Sequence, residues 1–295
     1  MIARRKFVKL ALAGTTLPLI ELRPADAGGS QNLRFLFLTD VHAMLDRNAP
    51  AKMDDIASRI RDLGIDLIIG GGDFVDGGFT STPAQMEPKF ALLRRFLEKI
   101  THPIEAVAGN HDLVGVCPAD GSTPEPDPAR YLRETFGLRT LHRTFDHGTF
   151  RFIVLDSVEP LPAPKTYRGH VSAEQILWIK SLLDSTPKDQ PIVLCSHIPF
   201  RSTFLQNKDG PEAPLPDNLV VTNANDVLAL FDGHNLPLVL QGHLHVNEVI
   251  HWNKRTFLTG GAVSGAWWKG DNWGTEPGFG TVEITPSHCD WTYLT

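Results

Sequence analysis

Short runs of apolar residues alternate along the chain with segments whose apolar residues recur every three or four positions. The runs are typical of buried strands, and they cover Leu33–Leu38, Ile65–Ile69, Pro103–Ala108, Phe150–Leu155, Ile192–Cys195 and Leu238–Gln241. The recurring positions predict amphipathic helices, one carrying Met53, Ile56, Ile60 and Leu63 and another carrying Phe90, Leu93, Leu97 and Ile100. Ser172 and Gln175 have the spacing of a capping box that opens a further helix. Strands that alternate with helices indicate an α/β fold with βαβ units.

This alternation continues over most of the 295-residue chain without an internal repeat or a low-complexity tract. Residues 116–128 are rich in Pro, Asp and Gly, and we interpret them as a loop rather than a domain boundary. The composition, with 42% hydrophobic and 21% charged residues, excludes a disordered or fibrous chain. We therefore expect residues 28–295 to form one domain with a large core.

The first 27 residues have the pattern of an export signal. The pair Arg4-Arg5 precedes an apolar stretch over Leu10–Ile20, and Ala25-Asp26-Ala27 has the form of a cleavage site. The segment resembles a bacterial twin-arginine signal peptide, which implies that the twin-arginine export machinery carries the protein across the membrane in its folded form. We expect a periplasmic or secreted protein without stable membrane insertion after cleavage.

The net charge limits the possible binding partners, and the cysteines offer one candidate disulfide. Removal of residues 1–27 takes away five basic and two acidic residues, so the net charge falls from −6 to −9. An acidic chain of this kind lacks the basic surface that binds nucleic acid or anionic membranes. Cys195 lies in an apolar run and is expected to be a buried thiol, whereas Cys117 and Cys289 are candidates for a disulfide in an oxidising compartment.

Clusters of Asp, Asn and His follow five of the predicted strands. In chain order they are Asp40-Val41-His42, Gly72-Asp73, Gly109-Asn110-His111-Asp112, Ser196-His197 and Gly242-His243-Leu244-His245. Ligands of α/β proteins bind beyond the carboxyl ends of the strands, so these clusters are expected to meet in one crevice. Carboxylate, amide and imidazole groups without a thiolate suit Mn, Fe, Zn or Co. The set is too large for one ion, and it predicts a pair of metal ions that share a carboxylate.

The ordered set of motifs resembles that of the calcineurin-like metallophosphoesterases. The resemblance implies a four-layer αββα sandwich, in which two mixed sheets are flanked by helices. It also implies that Asp40, His42 and His245 hold a first metal ion, that Asn110, His197 and His243 hold a second, and that Asp73 bridges the two. His111 would then act on the leaving group as the catalytic histidine. Asp76 matches the position that orients this histidine in several members, and Asp112 is the competing partner.

The implied chemistry is the hydrolysis of a small phosphate ester by a hydroxide that bridges two metal ions, here Mn, Fe or Zn. Two departures from related branches narrow the substrate. Gly77 stands where the protein phosphatases of the superfamily carry a phosphate-binding arginine, and Asp76 stands where purple acid phosphatases carry a metal-binding tyrosine. The remaining resemblance is to the cyclic-nucleotide and glycerophosphodiester phosphodiesterases. A phosphodiesterase is therefore expected.

Three alternatives to a phosphodiesterase remain open. They are a phosphomonoesterase, a metal-binding scaffold without catalysis, and a nuclease, which the acidic charge disfavours. A second open question concerns the Gly-rich stretch near the C-terminus, which contains Trp267, Trp268 and Trp273. These side chains either stack on a base or sugar of the substrate or pack in the core.

Overall fold

The computed structural model describes residues 32–161 and 166–295. The predicted signal peptide, residues 1–27, lies outside these ranges. The described residues form, in order, β1 (Leu33–Leu38), α1 (Ala49–Arg61), β2 (Leu67–Gly70), α2 (Pro83–Glu98), β3 (Ile104–Ala106), α3 (Arg130–Phe136), β4 (Arg143–His147), β5 (Phe150–Val154), β6 (Val158–Pro160), β7 (Tyr167–Gly169), α4 (Ala173–Asp184), β8 (Ile192–Cys195), α5 (Phe204–Asp209), α6 (Ala224–Ala229), β9 (Leu238–Gln241), β10 (Glu248–Trp252), β11 (Arg255–Thr259), β12 (Phe279–Ile284) and β13 (Cys289–Leu294). Two 3₁₀ turns cover Gly78–Thr80 and Asn110–Asp112.

Most of these strands belong to two mixed sheets. The first has the order β13-β12-β1-β2-β3, in which β1, β2 and β3 are parallel and the other two strands are antiparallel to their neighbours. The second has the order β10-β11-β9-β8-β5-β4, with the four central strands parallel and an antiparallel strand at each edge. Strands β6 and β7 form a separate pair. In each sheet the parallel strands end at one common edge.

The two sheets pack face to face, and helices cover their outer faces. Alternate residues of β1 show this arrangement: Phe35 and Phe37 belong to the core between the sheets, whereas Leu36 and Leu38 face α1 and α2. Helices α4 and α6 pack in the same way on the second sheet. Because both faces of each sheet are covered, the strands read as continuous apolar runs rather than alternating ones. The predicted αββα sandwich is confirmed.

The local predictions hold with small shifts at the ends of elements. Helix α2 begins earlier than its apolar spacing indicates, because Thr82 and Gln85 form a capping box and Pro83 occupies the first turn. Ser172 caps α4 as expected, accepting a hydrogen bond from the Gln175 N–H at 3.2 Å. No helix in the described part of the chain is long and apolar enough to cross a membrane.

The cysteines are free thiols. Cys195 is buried between the sheets, as its apolar run indicates. The suggested pairing of Cys117 with Cys289 is wrong, because Cys117 packs on the helix-covered face of the second sheet and Cys289 beside the core between the sheets. The layers of the sandwich therefore keep the two sulfur atoms apart.

The Asp156 carboxyl, just after β5, gives a stability prediction. Burial raises its pKa from 3.8 to about 6, against a hydrogen bond that it accepts from the Val158 N–H. A carboxyl whose pKa is higher in the folded chain than in the unfolded chain favours folding while it is protonated. This stabilisation is present below pH 3.8 and is lost as the pH rises to about 6. The ionised group destabilises the fold at neutral pH.

We therefore expect Asp156→Asn to raise Tm at pH 7.5 by roughly 3–6 °C and to leave it nearly unchanged at pH 4. Thermal unfolding followed by circular dichroism at both pH values measures the difference. Asp62→Asn, at a carboxylate that is 81% exposed, is the matched control and is expected to change Tm at neither pH. An equal shift for Asp156→Asn at both pH values would contradict the role of ionisation.

Candidate metal centre

The predicted ligands follow the parallel strands at the edge where these strands end. Asp40 and His42 come after β1, Asp73 after β2, and Asn110 after β3, all in the first sheet. The second sheet contributes His197 after β8 and both His243 and His245 after β9. A hydrogen bond from the His243 N–H to Asp40 Oδ2, 3.0 Å long, joins the two edges. The sandwich thus brings five loop segments of distant sequence to one place.

The side chains of these loops form two groups that share Asp73. In the first group, His245 Nε2 lies 3.3 Å from Asp40 Oδ1 and 3.0 Å from His42 Nε2. In the second group, His197 Nε2 lies 3.2 Å from Asp73 Oδ2 and 3.2 Å from His243 Nδ1. Asp73 Oδ2 also lies 3.7 Å from His42 Nε2, so this carboxylate stands between the groups. Both groups have the spacing of metal ligands.

Two buried oxygen atoms support metal binding independently of this spacing. Asp40 Oδ1 and Asn110 Oδ1 make no hydrogen bond with any described residue, although Asp40 is fully buried and Asn110 is 4% exposed. A buried polar atom without a partner costs about 1–3 kcal/mol. A cation coordinated by these oxygens would remove that cost. The donor set, with oxygen and imidazole nitrogen and no sulfur, therefore fits a pair of ions such as Mn, Fe or Zn.

Backbone carbonyls fix the rings of three candidate ligands. The outer ring nitrogen of His197 lies 2.8 Å from Gly71 O, that of His243 lies 2.9 Å from Asn218 O, and that of His245 lies 2.6 Å from Gly265 O. A carbonyl accepts only from a protonated nitrogen, so each outer nitrogen carries a proton and each inner nitrogen faces the centre, where the neutral ring offers a lone pair. Such outer hydrogen bonds orient histidine ligands in metalloproteins.

The loops hold an unusual backbone conformation at the ligands. Five of the seven candidate ligands have a positive φ, between 45° and 73°: Asp40, His42, Asp73, His243 and His245. For a residue other than glycine this region costs about 1–2 kcal/mol. Strain of this kind is typical of functional sites, where the surrounding contacts enforce it.

Asp112 supplies much of that enforcement. Its buried carboxylate accepts hydrogen bonds from the N–H groups of Asp73 at 2.8 Å, Phe74 at 2.7 Å and Gly109 at 2.9 Å. These bonds join the loop after β2 to the loop after β3. Gly109 is required there because a Cβ would lie 2.2 Å from Asp73 Oδ1. Asp112 therefore positions the bridging carboxylate and is not a partner of the His111 ring.

His111 lies against the first group, with its ring 4.6 Å from that of His42. Its N–H donates to Asp73 Oδ1 at 2.7 Å, and its ring Nδ1 accepts a hydrogen bond from the Gly77 N–H at 2.8 Å. The neutral ring therefore carries its proton on Nε2. Burial lowers the pKa of His111, and the charge of His42 adds to this effect against the opposing Asp73 carboxylate.

Asp76 is predicted to orient His111 and lies beside that ring, while the hydrogen bond to His111 Nδ1 comes from the Gly77 N–H. Asp76 Oδ1 lies 3.6 Å from His111 Nδ1 and 3.4 Å from His42 Nδ1. It is thus nearer to a candidate metal ligand than to the candidate catalytic histidine. The sequence spacing cannot show which of the two rings Asp76 contacts, because the turn after β2 places it beside both His42 and His111.

Burial and the neighbouring charges together shift the pKa values of the candidate ligands. Burial alone would raise the pKa of Asp73, but the charge of His197 and a hydrogen bond from its ring outweigh burial and lower it. In return, burial lowers the pKa of His197, while the Asp73 carboxylate outweighs burial and raises it to about 9. In the metal-free chain the imidazole protons thus supply the positive charge that the buried carboxylates require.

The three tryptophans separate into different roles. Trp268 is 4% exposed and its Nε1–H donates to His42 O at 3.0 Å, so it packs in the core and supports the ligand loop. Trp267 is 37% exposed, and its ring lies 4.5 Å from that of His245 and 5.6 Å from that of His42. Trp273 lies on the surface beside Phe204 and Lys208. Trp267 alone among them lines the centre.

Two residues near the second group were not anticipated. The Tyr167 ring lies 6.1 Å from that of His243, and burial together with the charge of Asp73 raises its pKa to about 12. Asn218 contributes a backbone carbonyl to His243, which no side-chain pattern reveals. Tyr167 belongs to the short strand β7, and a single tyrosine in such a strand carries no chemical signal in the sequence.

Comparisons with known proteins agree with this geometry. The family model of the calcineurin-like phosphoesterases matches residues 33–247. A relative described as a "Probable cyclic nucleotide phosphodiesterase" from Synechococcus sp. is 24% identical over 234 residues, which is 73% of this chain and 78% of the relative.

Two solved structures share the architecture. A dimetal phosphatase from Danio rerio has a TM-score of 0.62 at 12% identity, with 89% of this chain and 99% of that chain covered. GAP50, the anchor in the inner membrane complex of Plasmodium, has a TM-score of 0.54 at 13% identity, with 90% and 84% covered. At these identities the likeness shows the fold alone.

The family match extends from the first residue of β1 to two residues beyond His245. It thus covers well over half of the chain and contains every candidate ligand together with His111. The resemblance drawn from the five motifs is confirmed, and the chain belongs to the calcineurin-like phosphoesterase family.

Proposed function

We propose that this protein hydrolyses a small organic phosphodiester with the help of two metal ions. The observation that carries the proposal is the position of Asp73 between two groups of ligands, with His111 bonded to the same carboxylate. Two bound ions would supply neutralisation of the phosphate charge and activation of a water molecule near neutral pH. The relative described as a phosphodiesterase supports the same class of reaction.

His111 is the residue of this chain that would act on the leaving group. The Gly77 N–H holds His111 Nδ1, so the neutral ring offers its Nε2–H to the oxygen of the leaving group. Removal of one preorganised hydrogen-bond donor to a developing negative charge lowers kcat by about 10²–10³. The lowered pKa of His111 keeps the ring neutral before substrate binds. His111 therefore acts as a hydrogen-bond donor to the negative charge that develops on the leaving-group oxygen.

The preference for a diester rests on charge. A phosphomonoester carries one more negative charge than a diester at neutral pH, and an arginine near the phosphate would balance that charge. Gly77 offers only a backbone N–H at the corresponding position, and His111 already uses it. We therefore favour the diester, and a phosphomonoesterase is the second candidate.

A scaffold without catalysis is the candidate of another class. The architecture is shared with GAP50, which is described as an anchor. Three features of this chain argue for chemistry instead: the unpartnered oxygens of Asp40 and Asn110, the strained backbone at the ligands and the fixed orientation of His111. None of these features is required for holding a partner protein.

Hydrolysis of bis(p-nitrophenyl) phosphate and p-nitrophenyl phosphate tests the substrate class. We expect faster cleavage of the diester by protein loaded separately with Mn, Fe or Zn. His111→Ala is expected to lower kcat by about 10²–10³ and to leave the metal content unchanged, because a hydrogen-bond donor at the leaving group is lost but no predicted ligand is. His251→Ala, at an exposed histidine on β10, is the matched control. Faster cleavage of the monoester would assign the protein to the second candidate.

Substitution of Asp73 tests whether its carboxylate is shared by two metal ions. We expect Asp73→Asn to lower the metal content below two ions per chain and to abolish hydrolysis, because the amide removes the negative charge between the groups. Elemental analysis after dialysis, together with the diester assay, measures both effects. Asp66→Asn serves as the control at a carboxylate that accepts a hydrogen bond from the Arg34 backbone N–H, away from the centre. Full metal content and full activity in Asp73→Asn would exclude a bridging role.

Substitution of Trp267 tests whether its ring binds the organic leaving group of the substrate. Its partly exposed ring over His245 is expected to contact an organic leaving group. Trp267→Ala should therefore raise KM for bis(p-nitrophenyl) phosphate about tenfold and change kcat much less, since stacking on an aromatic group contributes about 1–3 kcal/mol. Trp273→Ala is the comparison variant and should leave KM unchanged. A loss confined to kcat would contradict a binding role for Trp267.

A further inference from the structure

His42 differs from the other three histidines of the centre in its outer ring nitrogen. His197, His243 and His245 each contact a backbone carbonyl through that atom. His42 is fully buried, and its Nδ1 makes no regular hydrogen bond within the described residues. The polar atom that faces it is Asp76 Oδ1, at 3.4 Å. One of the four rings is thus positioned by a carboxylate where the other three are positioned by carbonyls.

Asp76 is itself held from the side opposite His42. Lys89, on α2, donates from its Nζ to the Asp76 backbone carbonyl at 2.5 Å. The same ammonium lies 3.7 Å from Asp76 Oδ2. The two contacts fix both ends of the residue and leave Oδ1 for the His42 ring. Because α2 packs against the first sheet through its buried face, it gives Lys89 a rigid base.

The His111 ring has no hydrogen to offer Asp76. Its Nδ1 lies 3.6 Å from Asp76 Oδ1, but this nitrogen accepts the Gly77 N–H at 2.8 Å and so holds a lone pair. A carboxylate cannot accept from a nitrogen in that state. The His42 Nδ1 has no competing donor. Between the two neighbouring rings, Asp76 is therefore complementary to His42.

We propose that Asp76 is a positioning residue for the metal ligand His42 and that Lys89 in turn positions Asp76. The carboxylate accepts the Nδ1–H of His42, which directs the Nε2 lone pair toward the first ion and increases the basicity of the ring. The proposal rests on the dinuclear centre of the proposed function. Outer carboxylates of this kind contribute about 10–100-fold to metal affinity.

A purely structural ion pair would behave differently. The Lys89 and Asp76 side chains are 22% and 26% exposed, and ion pairs that reach solvent contribute little to stability. A role confined to folding would therefore show as a small change in Tm with no change in metal binding. The proposed role changes metal binding at one of two sites.

Titration with Co²⁺ in competition with a chelator tests the proposal, since Co²⁺ suits imidazole and carboxylate ligands and its visible absorption reports the site that is filled. We expect Asp76→Asn to weaken one of the two Co²⁺ sites by about 10–100-fold and to alter its absorption band, with the other site changed less than about threefold. Lys89→Met should weaken the same site by a smaller factor. The double variant should be no weaker than Asp76→Asn, because Lys89 acts through Asp76.

Asp54→Asn is the matched control, since this exposed carboxylate pairs with Lys99 at 2.6 Å and is expected to leave both Co²⁺ sites unchanged. Unfolding curves confirm that each variant is folded. If Asp76 acts on His111 instead, Asp76→Asn will keep both affinities and lose kcat at saturating metal, and that result overturns the proposal. Failure of the wild-type protein to cleave a diester leaves the Co²⁺ titration unaffected, so this inference and the proposed function fail separately.

Discussion

The burial of charge at the joined edges of the two sheets is the constraint on which the rest of the structure depends. Asp40 and Asp73 are almost completely excluded from solvent, and buried carboxylates are stable only when positive charge and hydrogen bonds compensate them. Imidazole rings beside the carboxylates can provide that charge, and the Asp73 carboxylate accordingly raises the pKa of His197. Two metal ions would provide it more completely, because they also satisfy the oxygens that lack hydrogen bonds.

The sandwich makes this burial possible without relying on the ligands for stability. The parallel strands of both sheets end at one edge, and apolar layers on either side of each sheet hold the strands in register. The loops can therefore keep five of the candidate ligands at positive φ. Asp112 joins two of these loops through three short hydrogen bonds, so the strain is sustained by contacts that are not themselves ligands.

The sequence is sufficient to predict the strands and the polar residues that follow them, but not the contacts that orient those polar side chains. The apolar runs and the polar residues that follow them are local patterns, and both appear where they are expected, as at β8 and His197. The carbonyls of Gly265 and Asn218 that orient His245 and His243 belong to loops whose paths depend on tertiary packing. The hydrogen bond from the Gly77 N–H to His111 Nδ1 likewise depends on the path of a loop, so the sequence did not reveal it. The Trp267 and Trp268 pair shows the limit most clearly, since neighbours in sequence differ in burial and in partner.

The fold alone does not decide the activity, since it is shared with a phosphatase and with an anchor protein at 12–13% identity. The proposed activity depends on the candidate ligands around Asp73, and X-ray diffraction from crystals grown with Mn²⁺ would test their binding of metal directly. Anomalous difference maps should show two peaks about 3.5–4 Å apart on either side of Asp73. One should lie among Asp40, His42 and His245, and the other among Asn110, His197 and His243. A single peak, or two peaks that do not share Asp73, would contradict a dinuclear hydrolytic centre.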